Sequence, residues 1–171
     1  MRTPTLCFLF PLLALALQPA AGFACAIVAP EKRAEAHAKR VAAYKAEVAA
    51  VKEEADLIFM GSLTTLTFTR ETVTAPSGQP RELQHHQAVF RPWEQIKGEY
   101  HDGQVLEYTT VRNRIVVGCG PAFRTLPKEN GAGEVYLVYA REGRILRTNH
   151  IPTDTQILSG YEEAAFLRDG E

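Results

Sequence analysis

The chain has 171 residues, of which 46% are hydrophobic and 23% are charged, and its formal net charge is −1. This composition is typical of a globular protein and excludes a disordered or fibrous chain. A charge this close to zero also argues against nucleic acid or an acidic membrane surface as the partner.

The N-terminal residues have the pattern of an export signal. Arg2 supplies a positive charge, residues 6–17 are an apolar run, and small residues follow it. The run is too short to cross a bilayer as a helix, so we expect residues 1–24 to be a cleaved signal peptide rather than an anchor. The small residues also allow cleavage before Phe23 or Ile27. We therefore expect a secreted, periplasmic or extracellular protein, with residues 25–171 forming one domain.

Two cysteines, Cys25 and Cys119, remain once the signal peptide is removed. An even cysteine count in an exported chain predicts a disulfide between them, and two free thiols are the alternative. The bridge would close a loop of roughly 95 residues, which is worth about 4–5 kcal/mol in the chain-entropy model. Lipid attachment to Cys25 is a further alternative, although Gly22 stands where such sites usually have an aliphatic residue.

The segment that follows Pro30 has helical periodicity. Its apolar residues recur at spacings of three and four, at Val41, Tyr44, Val48, Val51 and Ala55. This single stripe predicts a helix over about 31–55 that packs against a domain. A coiled coil is the alternative, over fewer than four heptads.

From residue 56 onward, β-branched and aromatic residues dominate. We predict a strand over 56–70 that is bent or bulged at Gly61, and a turn region over 71–80. A returning strand over 83–98 has Pro92 at an edge or a bulge. Shorter strands are predicted over 104–111 and 114–118.

The C-terminal third continues with two strands and a helix. The strands, over 133–142 and 144–150, flank a tight hairpin at Glu142 and Gly143. A short helix over about 160–168 is capped by Ser159 and stopped by Gly170. The predicted fold class is mainly β with flanking helices, arranged as a barrel or a sandwich.

No catalytic or metal-binding motif stands out. His85 and His86 are adjacent, and adjacent residues on a strand face opposite sides, so they are poorly placed to share one ion. Asp56, at the junction of helix and strand, is expected to be a structural hydrogen-bonding residue, and Trp93 is expected to be buried. We therefore expect no catalytic residue, no metal of the protein's own and no cofactor.

Six motifs occur in an order that resembles the netrin-like module: C-A-I-V-A-P, A-D-L-I-F-M-G, V-F-R-P-W-E-Q-I-K-G, V-V-G-C-G, V-Y-L-V-Y-A and R-I-L-R-T-N-H. The best-known members of this superfamily are the tissue inhibitors of metalloproteinases, which have bacterial relatives. The resemblance extends from Cys25 to about Thr155. It implies a five-stranded OB-like barrel with helices packed against it.

In the inhibitor branch of this superfamily, the mature chain begins with Cys-x-Cys, and its first cysteine pairs with the cysteine of a Cys-Gly motif. The resemblance implies the same pairing for Cys25 and Cys119. It also implies that the backbone nitrogen and oxygen of Cys25 chelate the catalytic zinc of a protease, while Ala26 points into the specificity pocket. A neighbouring ridge completes the partner-binding site at Val117, Gly118, Cys119 and Gly120.

The sequence departs from the inhibitor pattern at two positions. Ile27 replaces the second cysteine, and His150 stands where that cysteine's partner is expected. The expected function is therefore that of a protein-binding module in the cell envelope or outside the cell. The alternatives are inhibition of a zinc metalloprotease through Cys25 and a lipid-anchored envelope protein.

Overall fold

The computed structural model describes residues 29–112, 123–151 and 157–170. The chain begins with a short 3₁₀ turn, Pro30–Lys32, which leads into helix α1, Arg33–Glu54. Five strands follow, β1 Leu57–Thr74, β2 Pro80–Lys97, β3 Val105–Val111, β4 Val135–Arg141 and β5 Arg144–His150, and helix α2 is Gly160–Asp169. The prediction of a mainly β fold with a helix on either side is confirmed. The strand predicted over 114–118 lies outside the described residues.

The five strands pair in a closed ring, in the order β1-β2-β3-β5-β4. Neighbouring strands are antiparallel except β3 and β5, which meet in parallel at the pair of Glu107 with Arg144. Because β4 lies beside β1, the order β4-β1-β2-β3 is a Greek key. These strands form one mixed sheet, and the alternative of two packed sheets is wrong.

The interior of the ring is filled by aromatic and aliphatic side chains. Phe59 stacks on Tyr100 with ring centroids 4.3 Å apart, and Phe90 meets Phe59 edge-on at 5.6 Å. The Tyr100 hydroxyl accepts a hydrogen bond of 2.9 Å from the Phe90 N–H. This core is buried together with Leu57, Leu63, Ala88, Leu106, Tyr108, Tyr136, Val138, Ala140 and Ile145. Burial of this apolar surface is the main driving force for closing the ring.

Helix α1 covers the outer face of the first half of β1 and of β4. Its predicted stripe is buried at Tyr44, Val48, Val51 and Ala55, while Val41 is half-buried. These side chains pack with Ile58, Met60, Leu137 and Tyr139 of the sheet. The stripe therefore packs within the chain, as predicted, and leaves no seam for a coiled-coil partner.

The predicted local signals at the C-terminal hairpin and at α2 are confirmed. Glu142 and Gly143 have φ angles of 51° and 76°, the left-handed pair that a two-residue type I′ hairpin requires. The Ser159 side chain accepts from the Glu162 N–H in a reciprocal capping box, and Gly170 ends the helix at a φ of 72°. Asp56 accepts a hydrogen bond of 2.8 Å from the Glu142 N–H, which is the structural role expected of it.

Two local predictions are wrong. The turn region is shorter than 71–80, because β1 continues to Thr74 and the reversal takes only residues 75–79. Trp93 is 50% exposed rather than buried. The cause is the predicted irregularity at Pro92: the pairing skips from Glu94 to Pro92, and Trp93 is left without a partner residue on β1. Among the helices of the described residues, none is long and apolar enough to span a membrane.

Candidate interaction surface

The β1–β2 hairpin extends well beyond the ring. β1 pairs with β4 only through residues 57–62. The last contacts on that side are at Leu63, whose N–H donates to the Glu134 oxygen at 2.9 Å and whose oxygen accepts from the Gly133 N–H at 2.8 Å. Residues 64–74, together with 80–89 of β2, 105–111 of β3 and the following Arg112, form an extension that we call the arm.

One edge of the arm lacks a partner strand within the described parts of the chain. Residues 64–74 pair with β2 on one side, and neither β4 nor another described strand pairs with the other side. Backbone N–H and C=O groups on such an edge are a template for another strand. Natural proteins usually shield long edges with lysine, proline or short strands. This edge, T-L-T-F-T-R-E-T-V-T after Thr64, is instead rich in β-branched residues and carries one charge of each sign.

The inner face of the arm continues the interior of the ring outward. Tyr108 belongs to the outermost row of this interior, with His86 and Phe68 beside it, and the next row outward is Arg70, Gln84 and Thr110. His86 and Tyr108 are buried, while Phe68, on the open edge, is 38% exposed. The inner face therefore presents an apolar ring and then a guanidinium group along the same edge.

His86 is held in one orientation by its neighbours. Its ring lies parallel to that of Tyr108, with centroids 4.3 Å apart, and its Nε2 is 2.9 Å from the Thr110 hydroxyl. Because that hydroxyl donates its proton to Gln84 at 3.3 Å, we assign the proton of the imidazole to Nε2. Nδ1 is then a buried acceptor without a hydrogen-bond donor. Burial lowers the pKa of His86 from its ordinary value of 6.5, and this keeps the ring neutral.

Positive charge is in excess at the far end of the inner face. Arg112 Nη1 lies 3.1 Å and 3.2 Å from the two carboxylate oxygens of Glu82, and Arg70 Nε lies 3.5 Å from one of them. Two guanidinium groups thus share one carboxylate. The Arg70 and Arg112 side chains are 55% and 48% exposed. A further carboxylate from outside would be attracted to this place.

The outer face of the arm carries a separate polar ladder. His85 contacts the Glu71 carboxylate at 2.9 Å through Nε2 and the Thr109 hydroxyl at 3.2 Å through Nδ1. Gln87 donates to Glu107 at 3.1 Å. His85 and His86 therefore face opposite sides, as predicted, and the described residues hold no group of three side chains placed to bind a metal.

A second polar cluster, which the sequence did not predict, lies under the helices. The Glu163 carboxylate of α2 accepts from Arg147 Nη1 at 2.7 Å, from the Tyr44 hydroxyl at 2.6 Å and from Asn149 Nδ2 at 2.8 Å, and the Tyr139 hydroxyl also donates to it. Arg147 and Glu163 are both fully buried. Burial, followed by the negative charge of Glu163, raises the pKa of the Tyr44 and Tyr139 hydroxyls. The cluster joins both helices to the sheet, so we assign it a structural role.

The site residues predicted from the resemblance are Cys25, Ala26, Val117, Gly118, Cys119 and Gly120, and all of them lie outside the described residues. The disulfide, the zinc chelate and lipid attachment at Cys25 stay predictions. The residues on either side of 113–122, the segment that contains Val117 to Gly120, are described. One of them lies on the arm and the other lies beside the buried polar cluster. Arg112 lies on the arm, and the ring of Phe123 lies 4.0 Å from the guanidinium carbon of Arg147.

We compared the whole chain with known protein families and with curated proteins, and neither comparison gave a match. The resemblance to the netrin-like module therefore depends on the six sequence motifs.

Proposed function

We propose that the protein is an exported protein-binding module of the netrin-like type, which takes up an extended segment of its partner on the open edge of the arm. A five-stranded Greek-key ring with flanking helices supports an OB-like fold. The observation that carries the binding proposal is the edge of β1 at residues 64–74, which has no partner among the described strands.

The edge is prepared for strand addition. β2 fixes residues 64–74 from one side, so the backbone groups on the other side already have strand geometry. A partner segment that adds there forms regularly spaced backbone hydrogen bonds, each worth about 0.5–1.5 kcal/mol net. Because β1 is ordered before binding, only the incoming segment loses conformational entropy.

This mode of binding uses no catalytic residue and no cofactor. Backbone pairing supplies affinity, and the side chains of the arm select the sequence of the partner segment. The polar ladder on the outer face links the three strands of the arm through their side chains.

The test begins with a random-peptide display library selected on the mature protein. Amide hydrogen exchange is then measured with and without a selected peptide. We expect slower exchange within residues 64–74 and unchanged exchange in β5. A matched pair of peptides, N-methylated on alternating residues, provides the control, because in an added strand only every second N–H faces β1. We expect one of the two to lose binding. Protection elsewhere, or equal binding by both, would reject the proposal.

A further inference from the structure

We infer that the preferred partner segment is an extended peptide with an apolar residue and an acidic residue two positions apart, which contact Phe68 and Arg70. This inference rests on the proposed function, because it specifies the ligand of the same edge. It follows from three features of the inner face: its spacing, its exposed aromatic ring and its excess positive charge.

The spacing follows from strand geometry. Residues two apart on a strand point to the same face, and so Phe68 and Arg70 are successive inner-face residues at the open edge. A strand added there places its own alternate side chains beside them, at the distance of directly opposite cross-strand pairs. One residue of the partner therefore meets Phe68, and the residue two positions away meets Arg70.

Phe68 favours an apolar neighbour. Its ring packs against the buried His86, with centroids 5.5 Å apart, yet 38% of the residue is exposed on the open side. The Arg70 guanidinium lies 5.3 Å from the centre of the same ring. An apolar side chain on the added strand would cover the exposed part of the ring and remove that surface from water.

Arg70 favours an acidic neighbour. It shares Glu82 with Arg112, which makes the closer contact with that carboxylate. The other acid of this stretch, Glu71, faces the outer side, where His85 holds it at 2.9 Å. Among the described residues of the arm, two guanidinium groups on the inner face thus share one carboxylate, and β1 has no acid on this face that would repel an incoming one.

The same charges make a second copy of the chain a poorer occupant. Symmetric pairing of two β1 edges across this stretch would bring a second Arg70 onto the same face as the first. Like charges on neighbouring strands are destabilising. A segment that carries a carboxylate removes this repulsion and adds a charge-assisted hydrogen bond.

The experiment uses synthetic peptides of alternating threonine and valine, which favour an extended conformation. Each peptide carries one glutamate two positions from a valine. One version has the glutamate before that valine and the other has it after. Matched peptides carry glutamine or lysine in place of the glutamate. Fluorescence anisotropy gives each dissociation constant for the mature wild-type protein. We expect the glutamate peptide to bind roughly threefold to fivefold more tightly than the glutamine peptide, as for an exposed ion pair, and the lysine peptide to bind least.

Two protein variants assign the preference to its side chain. Arg70→Gln should abolish the preference for glutamate over glutamine. Arg81→Gln removes the same charge from the outer face of the arm and should keep the preference. Phe68→Thr should weaken all the peptides by roughly fivefold, because it removes the apolar contact. Thermal unfolding of each variant checks that the arm stays folded.

Each failure has a distinct signature. Equal affinity for the glutamate and glutamine peptides, with residues 64–74 still protected, overturns this inference and leaves the proposed function standing. Absence of binding and of protection overturns both. Slow exchange in the free monomer at those residues of 64–74 whose N–H groups point away from β2 would show that the chain's own residues occupy the edge. Protection that rises with protein concentration, with a dimer in sedimentation, would assign the edge to a second copy. Either result overturns the inference.

Discussion

The polar cluster under the helices and the arm each contain an arginine–glutamate ion pair, and the two pairs differ in burial. Arg147 and Glu163 lie under the helices, fully buried, with a contact of 2.7 Å. Arg112 and Glu82 lie on the arm, 48% and 32% exposed, with a contact of 3.1 Å. When one partner of the exposed pair is removed, water can solvate the charge that remains. Water cannot reach the charge that remains in the buried pair. Substitutions should therefore lower the free energy of unfolding more under the helices than on the arm. On the arm, specificity for a partner can vary without loss of the fold.

Glu163→Gln should have the largest effect on stability. The variant keeps the size of the side chain but leaves Arg147 as a buried charge without its counter-charge. We expect a loss of about 3–5 kcal/mol in the free energy of unfolding, measured by urea denaturation. The matched change on the arm, Glu82→Gln, should cost less than about 1 kcal/mol.

A double variant sharpens this prediction. Adding Arg147→Met to Glu163→Gln removes the unpaired charge, while the glutamine oxygen stays as an acceptor for Tyr44, Tyr139 and Asn149, and this should recover part of the stability that Glu163→Gln loses. A similar loss in Glu163→Gln and Glu82→Gln would show that burial does not distinguish the two regions.

The predicted disulfide gives the next effect. If Cys25 and Cys119 are bonded, Cys119→Ser should lower the free energy of unfolding by about 2–5 kcal/mol. Cys25→Ser should cost the same, and the double variant should cost no more than either, because the bond is lost only once. Alkylation of both thiols in the native, non-reduced protein would contradict the pairing directly.

Val48→Asp tests how α1 packs on the sheet. Val48 is completely buried against both the sheet and α2, so a carboxylate there should cost about 3 kcal/mol by burying a charge or undocking the helix. Ala49→Asp, on the exposed side of the same turn, is the matched control. Equal melting temperatures for the two variants would show that the stripe is not a packing surface and would revive the coiled-coil alternative.

The capping box of α2 should have a smaller effect. Ser159→Ala removes the acceptor for the Glu162 N–H and should cost about 1 kcal/mol, because one helix-terminal donor loses its partner. Ser159→Asp supplies another good cap and should restore the stability. The measurement is the midpoint of urea denaturation, compared between variants whose dependence of the free energy of unfolding on urea concentration is the same. A destabilised Ser159→Asp would indicate that the serine acts by packing rather than by capping.

The elements governed by local rules could be predicted from the sequence. The stripe of α1, the hairpin at Glu142 and Gly143, and the caps of α2 each depend on a few neighbouring residues. The arm was harder, because the Pro, Ser and Gly near residue 77 favoured a long turn, and only pairing with β2 shows that the strand continues to Thr74. Which edge stays open depends on where β4 ends, and no short stretch of sequence determines that.

One feature of the sequence indicates the buried polar cluster. Glu163 lies on the apolar face of α2 with Gly160, Ala164 and Leu167, so a charge interrupts a helical stripe. On β5, Arg147 and Asn149 are two positions apart and share a face. A charge placed on an apolar face predicts a buried partner. The identity of that partner could not be predicted, because it depends on how α2 packs on the sheet.

Acidification should have the smallest effect, and it acts on the arm through His86. The side chain is buried between Phe68 and Tyr108, its Nδ1 has no donor or acceptor beside it, and burial lowers its pKa below 6.5. His85 on the same strand lowers the pKa further, and Glu129 opposes the shift. Near this group, Arg70 is the charged residue of β1, and Tyr108 is the titratable residue of β3.

The sign follows from proton counting. Below about pH 6.5 the unfolded chain binds a proton at residue 86 that the folded chain does not, so the free energy of unfolding falls as the pH is lowered from about 6.5 towards the depressed pKa of the folded state, and it levels off below that pKa. His150, whose pKa burial also lowers, contributes in the same direction from the ring. We expect His86→Gln to flatten the pH dependence of urea unfolding below about pH 6.5, and His150→Gln to flatten it independently. An unchanged slope in His86→Gln would mean that the imidazole is hydrated in the folded arm, and that the inner face is open to water at the row of Phe68 and His86.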